Sequence, residues 1–118
     1  MRESTIERRK QLFQEAAEIV QREYRDDLGL DDIARRLASS RRQLQRAFAE
    51  AGETTFRSCL QRVRMARAAE LLREGALPVN RVASAVGYRQ AAQFAKAFRR
   101  HHGRPPSAFR QASATLAA

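Results

Sequence analysis

The residues best suited to chemistry in this chain are arginines, and several of them are gathered in one short segment. Arg41, Arg42 and Arg46 lie within six residues, and Gln45 stands between the last two. A planar guanidinium group donates paired hydrogen bonds that fit a phosphate or the edge of a guanine base, and a glutamine amide fits adenine. The segment therefore predicts recognition of a polyanion.

Side chains that could carry catalysis or hold a metal are few and scattered. His101 and His102 are adjacent, so they point in different directions on a helix, and no cysteine or carboxylate cluster completes a metal site. Cys59 is the single cysteine and has no neighbouring histidine to activate it as a nucleophile. A glycine-rich phosphate loop is absent. We expect no catalytic residues, no metal and no cofactor.

The charge of the chain is strongly positive, at a formal +10, and it is unevenly distributed. Residues 1–53 hold 11 basic and 11 acidic residues, whereas residues 54–118 hold 12 basic residues and only Glu70 and Glu74 as acids. This excess favours a polyanionic partner, either nucleic acid or an anionic membrane surface. No apolar run approaches the roughly 20 residues of a membrane span, and Met1 leads into a charged stretch rather than a signal peptide.

Hydrophobic periodicity predicts an all-α fold. Alternating β-type runs are absent, and apolar residues recur at three- and four-residue spacing between glycine and proline breaks. Seven helices are expected, at about 5–25, 30–37, 41–51, 54–74, 79–86, 90–102 and 105–109.

Local signals predict several helix ends and buried faces. Ser40 is expected to cap the third helix and Gly52 to end it, and Thr54 or Thr55 to cap the fourth. The apolar positions of the first helix are Ile6, Phe13, Ala16, Ala17, Val20 and Tyr24. Those of the fourth helix are Phe56, Leu60, Val63 and Leu71, with Ala66 or the stem of Arg67.

The two halves of the chain repeat one pattern. Residues 33–37 (Ile-Ala-x-x-Leu) match 82–86 (Val-Ala-x-x-Val) at an offset of 49, and 44–48 (Leu-x-x-x-Phe) match 94–98 (Phe-x-x-x-Phe) at an offset of 50. Each copy joins a short helix with a small alanine, which permits a close helix crossing, to a second helix through a tight turn. This is the helix-turn-helix pattern, whose second helix enters the major groove. A chance repeat in a generic helical bundle is the alternative.

The helix between the two copies, about 56–74, spans roughly 28 Å at 1.5 Å per residue. A rigid helix of that length could hold two recognition helices about one DNA turn, roughly 34 Å, apart. We accordingly divide the chain into an N-terminal helix with the first helix-turn-helix (1–53), a linker helix (54–75), a second helix-turn-helix with a closing helix (76–112) and a disordered tail (113–118).

The sequence resembles the DNA-binding domain of the AraC/XylS family of bacterial transcription regulators over about residues 5–111. The stretches that resemble its second motif are Val82–Tyr88, Phe94–Arg100 and Gly103–Arg110. Those that resemble its first motif and its linker helix are Leu30–Ala34, Leu44–Phe48 and Arg64–Leu72. The resemblance implies two helix-turn-helix subdomains that bind double-stranded DNA.

Two sets of residues are candidates for contact with DNA. Outward positions on the second helix of each motif predict contacts with base edges, and these positions are Arg42, Gln45, Arg46, Ala92, Gln93 and Lys96. For Arg42, Gln45 and Arg46 the family resemblance also implies base reading. Alanine at such a position offers only apolar contact, for example to a thymine methyl. Residues at helix starts and flanking arginines predict phosphate contacts, namely Ser40, Arg41, Arg89, Arg99 and Arg100.

Together these patterns predict a sequence-specific transcription regulator, not an enzyme, acting as a monomer on an asymmetric DNA site of about 20 base pairs. We expect it in the cytoplasm at the nucleoid, with RNA polymerase as a further partner. Neither a membrane partner nor a small-molecule effector site in this chain is expected. The alternatives are a non-specific helical nucleic-acid binder and an adaptor module that recruits RNA polymerase.

Overall fold

The computed structural model describes residues 2–117, which form seven helices and no strand. The helices are α1 Arg2–Glu23, α2 Leu30–Arg36, α3 Arg41–Gly52, α4 Phe56–Glu74, α5 Val79–Ala85, α6 Ala91–His102 and α7 Pro106–Ala117. The prediction of an all-α fold with two helix-turn-helix motifs joined by a long helix is confirmed. For α1 to α6 the predicted ends lie within three residues of the observed ones.

The chain forms two compact units, Met1–Gln61 and Arg62–Ala118, which divide within α4. The first unit contains α1 and motif 1, which consists of α2 and α3. The second contains motif 2, which consists of α5 and α6, together with α7. The four-part division predicted from the sequence treats α4 as a separate linker and stays a prediction.

Burial of apolar side chains from three helices holds the first unit together. Its core consists of Ala16, Ile19, Leu30, Ile33, Ala34, Leu44 and Phe48. The Phe13 ring meets Phe48 edge to face, with centroids 5.3 Å apart, which suits the quadrupoles of both rings. Two expectations for α1 were wrong in detail: Ile6 is 50% exposed, and Ile19, absent from the predicted positions, is buried.

In the second unit the buried residues of motif 2 repeat those of motif 1, with Val82, Ala83, Phe94 and Phe98 all at most 2% exposed. The C-terminal part of α4 adds the buried residues Met65, Ala68, Ala69, Leu71 and Leu72. The predicted stripe of α4 was right at Leu71 and wrong at Ala66, which is exposed. Its other members are half-buried, namely Phe56, Leu60, Val63 and Arg67, and Phe56 packs against the core of the first unit. The two parts of α4 belong to different units, so no single apolar stripe runs along the helix.

The two motifs share the same backbone turn. In motif 1 the Ser39 amide donates to the Ala34 carbonyl at 2.7 Å, and in motif 2 the Tyr88 amide donates to Ala83 at 2.9 Å. The residue before each donor has a positive φ, which is 53° at Ala38 and 98° at Gly87. This shared geometry makes the sequence repeat a structural one.

The ends of α3 show how it is held in place. Ser40 caps it as predicted, because its hydroxyl oxygen accepts the Gln43 amide at 3.1 Å. Gly52 does not provide the expected left-handed end, since Glu53 takes that conformation with φ 51°. Gly52 instead leaves room for the Phe13 ring, with which an added Cβ would collide. Of the two threonines offered for α4, Thr55 accepts the Ser58 amide at 3.1 Å.

The last helix is longer than expected. The sequence predicts a helix ending near Phe109 and disorder over 113–118, whereas α7 runs to Ala117, and Ala118 lies outside the described residues. The alanine-rich composition of this segment favours helix. Arg110 of α7 is also structural: its Nε donates to the Leu72 carbonyl at 3.2 Å, and a terminal nitrogen donates to Leu77. It thereby binds carbonyls at and beyond the end of α4.

Candidate nucleic-acid interface

Motif 1 presents one polar face of α3 to solvent. Leu44, Ala47 and Phe48 are buried on the inner side of the helix. Positions 42, 46 and 49 are spaced by four and three residues, so they share the opposite side. We call Arg42, Arg46 and Ala49 the outer face of α3. All three are exposed, and Gln45 is exposed beside them.

Acidic residues of the first unit neutralise most of the arginines near this face. Asp32 pairs with Arg35 at 2.8 Å, Glu23 with Arg36 at 2.7 Å and Asp31 with Arg41 at 3.1 Å. The hydrogen bond from Arg36 lowers the pKa of Glu23, and the same bond raises the pKa of Arg36. Within residues 2–117, by contrast, Arg42 and Arg46 form no ion pair, and their guanidinium groups remain available for an external anion.

Motif 2 presents the corresponding face of α6. At the offset of 50, Ala92, Lys96 and Arg99 correspond to Arg42, Arg46 and Ala49, and we call them the outer face of α6. They are exposed, while Phe94, Ala97 and Phe98 are buried on the inner side. No ion pair involves Lys96 or Arg99 in the described part of the chain. The positive charges are shifted along the helix, toward its start in α3 and toward its end in α6.

The remaining candidates occupy the starts and flanks of these helices. Ser40 is the N-cap of α3, and its oxygen is engaged by the helix, although its hydroxyl proton can still be donated outward. Arg89 precedes the α6 cap and already has a partner within the protein. Gln93 and Arg100 are exposed on one flank of α6. Their roles in contacting DNA stay predictions.

One basic residue beside α3 was missed in the sequence. Arg8 of α1 is exposed and lines a groove that also includes Arg46. The two residues are 38 positions apart, and no local pattern connects them. The apolar spacing of α1 marks the face that it buries, but it does not show that this face packs against α3.

The described residues contain no group of three or more histidine, cysteine or acidic side chains placed to hold a metal. His102 lies 3.1 Å from the Met65 carbonyl through Nε2 and stacks 4.3 Å from Phe98. Burial lowers the pKa of His101, helped by the charges of His102 and Arg62. None of the helices in this part of the chain is both long and apolar enough to span a membrane.

Comparison with known proteins agrees with this geometry. A family model described as a helix-turn-helix domain matches residues 33–112. GbdR, an HTH-type transcriptional regulator of Pseudomonas aeruginosa, is 30% identical over 99 residues, which are 84% of this chain and 27% of that protein. The Msm operon regulatory protein of Streptococcus mutans is 29% identical over 102 residues, 86% of this chain and 37% of that protein. The chain thus spans well under half the length of these curated relatives.

Solved structures are similar over most of the chain. A DNA-binding transcriptional dual regulator from Escherichia coli K-12 has a TM-score of 0.81 and 26% identity, covering 88% of this chain and 93% of that one. A transcriptional regulator from Chromobacterium violaceum, described as having an AraC-type DNA-binding domain, has a TM-score of 0.81 and 27% identity, covering 87% and 92%.

Proposed function

Because the chain belongs to the AraC-type helix-turn-helix family of transcription regulators, we propose that it binds double-stranded DNA sequence-specifically through both motifs. In this proposal α3 and α6 are the recognition helices, and each enters the major groove. The observation that carries the proposal is the pair of exposed outer faces, at matching positions of a structural repeat, whose basic side chains form no ion pair within residues 2–117.

The two recognition helices are suited to different tasks. On α3 the guanidinium groups of Arg42 and Arg46 can each bridge two acceptors of guanine, and Gln45 can bridge adenine. On α6 the outer face offers the methyl of Ala92 for apolar contact and the charges of Lys96 and Arg99. We therefore propose that α3 makes most of the hydrogen bonds to bases. Helix α6 would add phosphate contacts, together with base contacts from the Ala92 methyl group and from Lys96.

The DNA site follows from the differences between the motifs. Since the outer faces of α3 and α6 differ in sequence, a single chain would read an asymmetric site of about 20 base pairs, two turns of the duplex. The 19 residues of α4 correspond to roughly 28 Å of helix, a length compatible with two major-groove segments about one turn apart. No second copy of the chain is needed for such a site.

The direct test is random-site selection with the purified chain, followed by fluorescence anisotropy on the selected duplex and on a shuffled duplex of the same composition. At about 150 mM salt, we expect the selected duplex to bind at least ~10³-fold more tightly. The logarithm of affinity should fall steeply with the logarithm of salt concentration, because phosphate contacts release counterions.

Two outcomes would contradict the proposal. Equal affinity for the two duplexes would indicate a non-specific nucleic-acid binder. Capture of purified RNA polymerase without DNA, combined with negligible binding of both duplexes, would indicate an adaptor module instead.

A further inference from the structure

A polar groove of about 470 Å³ lies between the N-terminal half of α1 and motif 1. Its lining includes Arg8 and Arg9 from α1, Ser39 from the turn, and Gln43 and Arg46 from α3. None of the DNA contacts proposed above involves α1. The groove nevertheless borders the outer face of α3, because Arg46 belongs to both.

Helix α1 packs against α3 beside this groove. Arg9 forms an ion pair with Glu50, and farther along α1 the Phe13 ring meets Phe48, with centroids 5.3 Å apart. Arg8 of α1 and Arg46 of α3 both line this groove.

The groove has a net positive charge that a bound anion would neutralise. Its lining holds the guanidinium groups of Arg8, Arg9 and Arg46 but only one carboxylate, that of Glu15. Glu50 neutralises Arg9, and Glu15 accepts a hydrogen bond from the Gln11 amide at 3.3 Å. In the described part of the chain Arg8 and Arg46 have no ion-pair partner, so two positive charges line one groove.

An oxyanion is the ligand that this arrangement suits. Two guanidinium groups in one groove repel each other, and an anion placed between them turns the repulsion into charge-assisted hydrogen bonds. A helix in the major groove runs between two phosphate backbones, so a second helix packed along its side lies near one of them. The nearest oxyanion for the groove would then be a phosphate of that strand.

We propose that this groove binds a backbone phosphate of the DNA strand that borders α3, with Arg8 as the ligand contributed by α1. The inference rests on the proposed function, because the strand passes α1 only if α3 lies in the major groove. It adds α1 to the DNA-binding surface and gives the first motif, whose half of the chain has no net charge, a phosphate anchor outside the helix-turn-helix.

The test compares Arg8→Ala with Lys10→Ala, which removes the same charge from the same helix outside the groove. Lys10 lies 3.8 Å from Glu7 and is exposed, as is Arg8, so both variants should fold, which circular dichroism and thermal melting verify. Affinities are measured by anisotropy on the duplex selected by the wild-type chain and on its shuffled counterpart. Arg8→Ala should weaken binding of both duplexes about tenfold and make the salt slope shallower by about 0.9. Lys10→Ala should change both quantities much less.

Three results would overturn the inference: no effect of Arg8→Ala, an equal effect of Lys10→Ala, or a loss confined to the selected duplex, which would indicate a base contact. A wild-type chain that does not distinguish the two duplexes would refute the proposed function instead, and that result is visible before either variant is made.

Discussion

At the scale of single residues, ion pairing separates arginines that look alike in the sequence. Arg41 and Arg42 are neighbours, yet Arg41 lies 3.1 Å from the Asp31 carboxylate, while Arg42 stands on the outer face of α3 without an ion pair in the described residues. Exposed ion pairs contribute only about 0–1 kcal/mol to stability. Their larger consequence here is to determine which guanidinium groups remain available to DNA.

This difference predicts distinct behaviour for two adjacent substitutions. Arg42→Ala should relax specificity at one base pair of the selected site, with a loss of discrimination of about 1–3 kcal/mol. Arg41→Ala, the matched control, should change the affinity for every duplex much less and alter no base preference, because Asp31 already neutralises Arg41. Anisotropy on a panel of duplexes, each carrying one base-pair change, measures both effects.

The assignment of these roles would be wrong if the two variants gave the same profile across the panel. It would also be wrong if Arg41→Ala altered the preference at one position while Arg42→Ala lowered all affinities alike.

Arg110 illustrates the opposite case, a basic residue whose guanidinium group is used within the protein. Its guanidinium group donates to the Leu72 and Leu77 carbonyls within the second unit. A cation beside the C-terminal end of α4 also interacts favourably with the helix dipole. Its position is thus explained by the fold, without any contact with DNA.

At the scale of elements, the two helix-turn-helix turns have the same hydrogen bonds but different residues at the strained position. Motif 2 has Gly87 there, with φ 98°, and motif 1 has Ala38, with φ 53°. A left-handed conformation costs an L-residue other than glycine about 1–2 kcal/mol. Replacing the alanine with glycine lowers the free energy of unfolding by about 0.4–1 kcal/mol, because glycine gives the unfolded chain more conformational entropy. The strain is the larger of the two quantities.

We therefore predict that Ala38→Gly stabilises the first unit by about 0.5–1 kcal/mol. Gly87→Ala, the matched change in the second unit, should destabilise that unit by about 1 kcal/mol or more. Because the chain has two compact units, amide hydrogen exchange of α3 and α6 should be followed separately, so that each variant is assessed in its own unit. Slower exchange in α6 of Gly87→Ala, or faster exchange in α3 of Ala38→Gly, would contradict this account of the turns.

At the scale of the whole molecule, charge is divided unequally along the chain. The entire formal net charge of +10 belongs to residues 54–118, and the first 53 residues are neutral overall. The acids of the first part include those that pair with Arg35, Arg36 and Arg41. Non-specific attraction to DNA should therefore come mainly from the second part, and selectivity from the few unpaired groups of the first.

The proposal of two different motifs on one chain also predicts the stoichiometry of the complex. One chain should bind one selected duplex, with guanine N7 protected from dimethyl sulfate on two major-groove segments about 10 base pairs apart. Size-exclusion chromatography with light scattering gives the mass of the complex. A complex of two chains on one duplex, or protection of a single segment, would contradict the proposal that one chain binds an asymmetric site through both motifs.

The class of fold, the order of the helices and the repeat could all be inferred from the order of the amino acids. These features depend on local physics: apolar spacing marks a helix face, a serine such as Ser40 caps the helix that follows, and glycine such as Gly87 permits a positive φ. Each signal involves residues a few positions apart, so it can be detected without knowing the packing. The family resemblance came from the same short stretches, and the match of residues 33–112 to the family model confirmed it.

Which of these residues are available for binding depends on how the helices pack. The pairing of Glu23 with Arg36, the space that Gly52 leaves for Phe13, and the place of Arg8 beside Arg46 all join residues from 13 to 39 positions apart. Such contacts are set by how helices pack, and packing depends on the shapes of both partners at once. A periodic pattern shows which face of a helix is buried, but it does not show what lies against that face.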